Sequence, residues 1–246
     1  MRASSDPPPA FYAAQPGGWR DWWTLLHPPY TLWNLSYVAI GGALSPTFTL
    51  WRLGEVVGAF FLGLGISAHA LDELNGRPLR TRIPDRVLIA AAVVGLVGAV
   101  ALGIRGITEV GWELVPFIVA GVFAVLAYNL EWFGARFHTD VGFAIAWGAF
   151  PVVAGYFAEA DRLDAAVILV AAFAFGLSLT QRVLSTQTRF LRRQVRRARL
   201  ELELANGEVR ELDRAGLVLP FDRALKAMSW AMVALGAGLV LARMWR

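Results

Sequence analysis

Seven apolar stretches, each close to the length of a membrane-crossing helix, constrain this chain more than any other feature. They cover approximately residues 25–44, 53–71, 87–104, 114–130, 141–157, 165–184 and 224–241. A helix needs about 20 apolar residues to cross roughly 30 Å of hydrocarbon. The composition agrees, because 57% of the residues are hydrophobic and only 17% are charged. We therefore expect an all-α fold, a polytopic transmembrane helix bundle of about seven spans.

The basic residues are distributed unevenly between the segments that connect these stretches. With the N-terminus in the cytoplasm, most of the 23 Lys and Arg residues fall in cytoplasmic segments, above all after the second and sixth stretches. The reverse orientation would violate the positive-inside rule. We therefore predict a cytoplasmic N-terminus and a multi-pass protein, in the plasma membrane if the cell is prokaryotic. The distal Arg residues are expected to contact anionic lipid headgroups, and no nucleic-acid partner is expected.

Two parts of the chain differ from the apolar stretches. Residues 1–20 are polar and rich in Pro, and they predict a disordered cytoplasmic lead. Residues 21–246 are predicted to form a single transmembrane helical domain with a cytoplasmic helical insertion at about 185–220. Apolar residues recur there at alternating spacings of four and three, which indicates a helix that packs in a homo-oligomer or on another partner. Alternatively, Asn206 and Gly207 break it into two short helices that cover the site.

A cluster of ionisable residues lies where the second apolar stretch ends. His69, Asp72 and Glu73 are spaced i, i+3 and i+4, which places them on one face of a helix. Ionisable groups in such a position usually face a cavity or a partner. The two carboxylates could hold one Mg²⁺ ion while Arg77 and Arg80 hold phosphate oxygens. Alternatively, the carboxylates form ion pairs with these Arg side chains at the membrane surface.

Several segments resemble the UbiA family of membrane prenyltransferases. Residues 27–34, which read HPPYTLWN, are similar to the first helix of that family, and residues 72–84 fall where the family has its first Asp-rich motif. Residues 128–131 and 148–156 are similar to its middle section. The resemblance covers roughly residues 25–184. It implies a UbiA-like helical bundle with the active site at the cytoplasmic ends of the helices.

The resemblance also implies a chemistry. Members of the family bind a prenyl diphosphate through Mg²⁺ and transfer the prenyl group to an acceptor that is often aromatic. This chain would then be a divergent prenyltransferase for an aromatic or lipid acceptor, with His69, Asp72 and Glu73 in catalytic roles. Asp72 and Glu73 would hold a single Mg²⁺, because the second Asp-rich motif is absent and no carboxylate lies between Asp164 and Glu201.

Arginines after the sixth stretch could replace the second metal ion. Arg182 and Arg189 are spaced i, i+7 and share one helical stripe, so we expect them to bind diphosphate together with Arg77 and Arg80. The remaining polar contacts expected in an otherwise apolar tunnel are those of Asn34 and Tyr128.

Two other classes of function stay open from the sequence. A non-catalytic UbiA-like lipid-binding or scaffold protein would explain the missing second motif. A transporter is disfavoured, because the ionisable residues cluster at the ends of the spans rather than at the midplane of the bilayer. The chain has no Cys, which excludes disulfides and thiolate metal sites.

Overall fold

Eight helices and one β-hairpin make up the fold in the computed structural model, which describes residues 8–245. The helices are α1 Trp19–Leu25, α2 Pro28–Leu44, α3 Leu50–Leu74, α4 Asp85–Val110, α5 Trp112–Asn129, α6 Asp140–Ala160, α7 Ala165–Arg193 and α8 Arg214–Met244. An irregular turn, Trp132–Ala135, connects α5 and α6. Two helices contain π-helical segments, Phe61–Ala68 in α3 and Ala144–Ala149 in α6.

The long helices fit a membrane. Within residues 8–245, six of them are long and apolar enough to cross a bilayer, namely α3 to α8. The remaining predicted span, residues 25–44, corresponds to α2, which has 17 residues and measures about 25 Å at 1.5 Å per residue. The bundle is therefore polytopic and helical, while a count of seven spans and a cytoplasmic N-terminus stay predictions.

The outer surface of the bundle is apolar. Large hydrophobic side chains are exposed along α4 and α7, for example Val94 at 69% and Leu169 at 73% exposure. Water would penalise so much contiguous apolar surface, whereas lipid chains cover it without cost. The surface chemistry thus agrees with the helix lengths in identifying an integral membrane protein.

The most buried helix of the bundle is α2, which packs mainly against α6 and α8. A Cβ at Gly41 would lie 2.1 Å from the carbonyl oxygen of Val152, and one at Gly155 would lie 2.3 Å from that of Val38. Only glycine allows these two backbones to approach so closely, as is common between membrane helices. Trp33 and Tyr37 are almost fully buried in this contact. It holds α2 against α6, and both helices contribute residues to the cavity described below.

The insertion after α7 is a β-hairpin, which corrects the prediction of a cytoplasmic helix at 185–220. α7 continues to Arg193, β1 (Arg199–Glu203) pairs antiparallel with β2 (Val209–Asp213), and α8 already begins at Arg214. The turn uses Gly207 at a φ of 81°, which favours glycine. The segment alternates apolar and polar residues, so its spacing suits a strand as well as a heptad. The predicted heptad helix is therefore absent at residues 199–213, and packing of this segment on a second copy or another partner stays a prediction.

Candidate functional site

A cavity of about 330 Å³ lies at one end of the bundle, which we call the cavity face. It is enclosed where α3, α5 and α7 end and where α2, α6 and α8 begin. Its wall includes residues of both π-helical segments, Leu64 and Ala68 in α3 and Trp147 in α6. Irregular turns of this kind are frequent at functional sites.

Two buried amides lie in the wall of the cavity. Asn34 is 5% exposed and Gln181 is 2% exposed, and both line the space. Among residues 8–245, the amide oxygen of each has no hydrogen-bond partner. A buried polar atom without a partner costs free energy, so these two groups favour a bound molecule that supplies a polar contact. Asn34 was predicted from the sequence, and Gln181 was missed.

The two adjacent carboxylates of the predicted cluster differ in their surroundings. Asp72 is half-buried and lines the cavity, and its carboxylate has no hydrogen bond or ion pair to any residue between 8 and 245. Glu73 is fully buried outside the cavity wall. Its carboxylate accepts hydrogen bonds from the backbone N–H groups of Leu79 (2.9 Å) and Thr81 (2.8 Å) and from the Thr81 hydroxyl. Glu73 therefore anchors the following loop, which corrects its prediction as a catalytic residue and metal ligand.

The two arginines of that loop lie outside the cavity wall as well. Arg77 forms an ion pair with Asp85 and donates to the carbonyl oxygen of Ile83 at 2.6 Å. Arg80 is exposed. Neither lines the cavity among the residues that the structure describes. Arg77 thus stabilises the turn between α3 and α4, and neither arginine is placed in the cavity wall where their prediction as diphosphate ligands would put them.

Three arginines of α7 line the cavity from the opposite side. Arg182 donates through Nε to Asp140 at 2.8 Å, and its guanidinium lies 5.1 Å from the ring centroid of Phe143. Arg189 donates to the Thr186 hydroxyl at 3.0 Å. Arg193 completes the row at the end of the helix. Arg182 and Arg189 thus lie where the sequence placed them.

Imidazole rings form part of the remaining wall. His69 donates through Nδ1 to the carbonyl oxygen of Gly65 at 3.0 Å, and its ring lies 4.2 Å from that of His27. His138 likewise donates to the carbonyl oxygen of Tyr128 at 3.0 Å and stacks on the Tyr128 ring at 4.4 Å. Because a carbonyl can only accept, Nε2 of His69 and of His138 carries a lone pair that can take a proton.

The segment before α1 covers the mouth of the cavity. Residues 9–12 line it, and the rings of Phe11 and Tyr12 contact Tyr30 edge-on at 6.0 and 5.5 Å. The segment is held by a hydrogen bond from Trp23 Nε1 to the Tyr12 carbonyl at 3.2 Å. Burial raises the pKa of the Tyr12 phenol well above its usual range. The predicted disordered lead is therefore corrected for residues 8–18, while residues 1–7 lie outside the described residues.

One further carboxylate reaches the cavity from α8. Asp222 is 9% exposed, lines the cavity and forms an ion pair with Arg192 at 2.5 Å. Sequence reasoning missed it because the last span was predicted to begin at residue 224, whereas α8 begins ten residues earlier and contains Pro220. The available signal was the i, i+3 and i+7 spacing of Asp222 with the apolar Leu225 and the small Ser229, which continues the buried stripe of the helix.

The donor groups present do not make a resident magnesium site. Within residues 8–245 there is no group of three or more His, Asp or Glu residues placed to hold a metal ion. Asp72 is the carboxylate in the cavity wall without a basic partner, and it faces Arg189 and Arg193 within electrostatic range. Magnesium normally takes several oxygen ligands, part of them from a bound phosphate. The wall therefore suits an anion held by guanidinium groups better than a preformed metal centre.

Comparisons with family models, with curated proteins and with solved structures give no match to this chain. The geometry of the cavity is thus the basis for assigning a function.

Proposed function

We propose that the cavity binds the diphosphate group of a prenyl diphosphate, and that the chain is a divergent UbiA-like membrane prenyltransferase acting on an aromatic or lipid acceptor at the cytoplasmic face. The observation that carries this proposal is the convergence of Arg182, Arg189 and Arg193 with the unpaired Asp72 on one cavity with an aromatic wall. Guanidinium groups bind phosphate oxygens through paired, charge-assisted hydrogen bonds.

Anion binding would rest mainly on Arg189 and Arg193. Arg182 shares its charge with Asp140, so part of its guanidinium is already occupied. Arg189 has one hydroxyl partner, and Arg193 has no ion pair within residues 8–245. Their charges are therefore available to a ligand, and a diphosphate bridging both would neutralise two like charges on adjacent turns of α7.

The apolar part of the wall suits the prenyl chain. Leu64, Phe143 and Trp147 line the cavity together with the arginines. When the bond from C1 of the prenyl group to the bridging oxygen breaks, the electron pair leaves with the diphosphate and C1 becomes cationic. The rings of Tyr128, Phe143 and Trp147 would stabilise that charge, since a cation near an aromatic face gains about 0.5–2 kcal/mol.

Transfer then requires a base. The acceptor forms a bond to C1 and loses a proton, so that the products are the prenylated acceptor, diphosphate and one proton. The lone pairs on Nε2 of His69 and His138 and the carboxylate of Asp72 are groups in the wall that could take it. Magnesium, if used, would arrive with the diphosphate and find one protein carboxylate, Asp72.

The alternative is a lipid-binding or scaffold protein of the same fold without catalysis. The observation that favours it is the assignment of Glu73 to the loop, which leaves a single unpaired carboxylate in the cavity wall among residues 8–245. Such a protein would still bind prenyl diphosphates or related phospholipids through the α7 arginines.

The test is binding of farnesyl diphosphate to the detergent-purified protein, in Mg²⁺ and in EDTA, for wild type and Asp72→Asn. If Asp72 ligates an ion carried by the ligand, the variant binds more weakly in Mg²⁺. In EDTA the same variant binds more tightly, because it removes a negative charge next to the anion. Release of diphosphate with an acceptor present would separate the transferase from the scaffold. Absence of binding in both buffers would overturn both proposals.

A further inference from the structure

A second, apolar space lies on the side of the bundle, away from the arginines of the cavity. This groove has a volume of about 120 Å³ and runs between α3, α4, α5 and α6. Leu64 and Trp147 line both the groove and the cavity, at the inner end of the groove. Its outer end is lined by Arg52 and Glu55. Along α3 these ends are separated by roughly 18 Å, slightly more than one leaflet of a 30 Å hydrocarbon core.

The polar end of the groove is incompletely satisfied. Glu55 has a side chain that is 9% exposed, and one of its carboxylate oxygens pairs with Arg105. The other oxygen, Oε2, has no hydrogen-bond partner within residues 8–245. Nε of Arg52 is also without a hydrogen bond there, and it lies 3.5 Å from Oε2 of Glu109 in a longer ion pair. A buried carboxylate oxygen without a donor costs about 1–3 kcal/mol or more, so the site favours a ligand that donates to it.

We propose that this groove binds a phospholipid with a primary ammonium headgroup, with one acyl chain along the groove. The ammonium would donate to Oε2 of Glu55, and a phosphate oxygen would accept from Nε of Arg52. Residues spaced i, i+3 on a helix have Cβ atoms about 5–6 Å apart, a separation that suits the neighbouring ammonium and phosphate of such a headgroup. A quaternary ammonium cannot donate a hydrogen bond to Glu55. An anionic headgroup without an ammonium would be repelled by the Glu55 carboxylate.

The apolar wall suits an acyl chain. Phe117 and Phe150 form an aromatic wall, with ring centroids 6.4 Å apart. Gly103, Gly106 and Gly121 also line the groove and add no side chains of their own to it. A Cβ at Gly121 would make ordinary contact with Phe150 at 3.7 Å. The longer side chain of Gly121→Leu would therefore fill the groove while the backbone of α5 stays in place.

The proposal is tested by native mass spectrometry of lipids retained by the detergent-purified protein. Phosphatidylethanolamine, phosphatidylcholine and phosphatidylglycerol with identical acyl chains are offered at equal mole fractions. We expect phosphatidylethanolamine to be retained about tenfold better than phosphatidylcholine, since the hydrogen bond to a charged group is lost with the latter. Glu55→Gln should remove most of that preference, and Gly121→Leu should lower the retention of all three lipids.

Glu113→Gln is the matched control, because Glu113 is exposed and lies outside the groove wall. It removes the same charge and should leave retention unchanged. If Glu55→Gln does not fold, Gly121→Leu still decides whether the groove is the site.

Equal retention of phosphatidylethanolamine and phosphatidylcholine, or a preference for phosphatidylglycerol, would overturn the proposal. Displacement of the lipid by a long prenyl diphosphate would also overturn it, because the groove would then be an extension of the cavity.

Discussion

The two polar ends of the bundle use charged residues in different ways. At the end opposite the cavity, Arg105 pairs with Glu55 and lies 3.1 Å from Glu109, while Arg52 lies 3.5 Å from Glu109. At the cavity face, Asp72 and Arg193 have no ion pair within residues 8–245. Both ends carry many charges in the sequence. The opposite end pairs these charges with one another, whereas the cavity face pairs Arg182 and Arg192 but leaves Asp72 and Arg193 available to a ligand.

The same difference separates two neighbouring residues of α3. Asp72 and Glu73 are about 100° apart around a helix, which is enough to direct one carboxylate into the cavity and the other into the loop. Charge at the end of a span is therefore not by itself evidence of a binding site. Whether the charge already has partners decides between a structural and a functional role, and the predictions below test that criterion.

The largest expected effect is on stability, from Glu73→Gln. The Gln amide would place an N–H₂ group against backbone N–H donors, and the loop at Leu79 and Thr81 would lose a charged acceptor. We expect a loss of about 3 kcal/mol in the free energy of unfolding, measured by chemical denaturation in detergent micelles. Asp72→Asn is the matched control and should change stability by less than about 1 kcal/mol. Equal losses in the two variants would show that the distinction between these carboxylates is wrong.

The next effect is on ligand affinity, from Arg189→Ala. Removing charged hydrogen bonds to a diphosphate should raise the dissociation constant of farnesyl diphosphate about 10–100-fold. Arg189→Lys should recover only part of the affinity, because an ammonium keeps the charge but not the planar fork. Both constants can be measured by calorimetry.

Arg197→Ala provides the control for this prediction. Arg197 is exposed and lies outside the cavity wall, in the same Arg-rich region that begins in α7. Its removal should change the dissociation constant by less than about twofold, since exposed charges are largely screened. If Arg197→Ala weakens binding as much as Arg189→Ala, the arginines attract the ligand only through their summed charge.

Hydropathy was sufficient to predict most of the bundle. All seven predicted spans correspond to helices, because the cost of exposing backbone groups to lipid leaves the helix as the available form for each apolar stretch. The π-helical segments were not predictable in this way, since Phe61–Ala68 and Ala144–Ala149 have the same apolar composition as their flanks. The start of α8 was missed because its first ten residues include three charged side chains and Pro220.

The site was predictable only in part, for a different reason. The sequence identifies which residues are ionisable, but the partners of a residue depend on side-chain directions and on loops. The shared helical stripe of Arg182 and Arg189 was predictable because a helix continues without interruption through Arg193, whereas their binding of diphosphate stays a prediction. Arg77 was misassigned because the loop turns back on itself, with a φ of 54° at that residue, and directs the guanidinium toward Asp85.

A pH effect of intermediate size is expected from His27, the residue before α2. Burial lowers the pKa of the His27 imidazole well below its usual range, and the adjacent His69 ring lowers it further. The unfolded chain therefore binds a proton near pH 6.5 that the folded protein does not bind. Stability should fall as the pH drops below about 6.5, by about 1.4 kcal/mol for each pH unit.

His27→Asn isolates this contribution. Asn tolerates the left-handed conformation that His27 adopts, with a φ of 46°. The difference in stability between pH 7.5 and pH 5.5 should be smaller in the variant than in the wild type, as measured by thermal unfolding in detergent. If the two proteins lose the same stability, the imidazole is accessible to protons in the folded state.

The smallest effect is expected in the hairpin, which projects from the cavity face and is exposed on both strands. Glu201 lies directly opposite Glu211, and like charges in such a pair are unfavourable. Glu201→Lys should stabilise the hairpin by about 0.2–1 kcal/mol and slow hydrogen exchange of the β1 and β2 amides.

The double variant Glu201→Lys with Glu211→Lys restores a like-charge pair and should cancel the gain. Slower exchange in the double variant as well would mean that removal of negative charge, rather than pairing across the strands, stabilises this segment. Ligand affinity at the cavity should be unchanged in both variants, because neither residue lines the cavity wall.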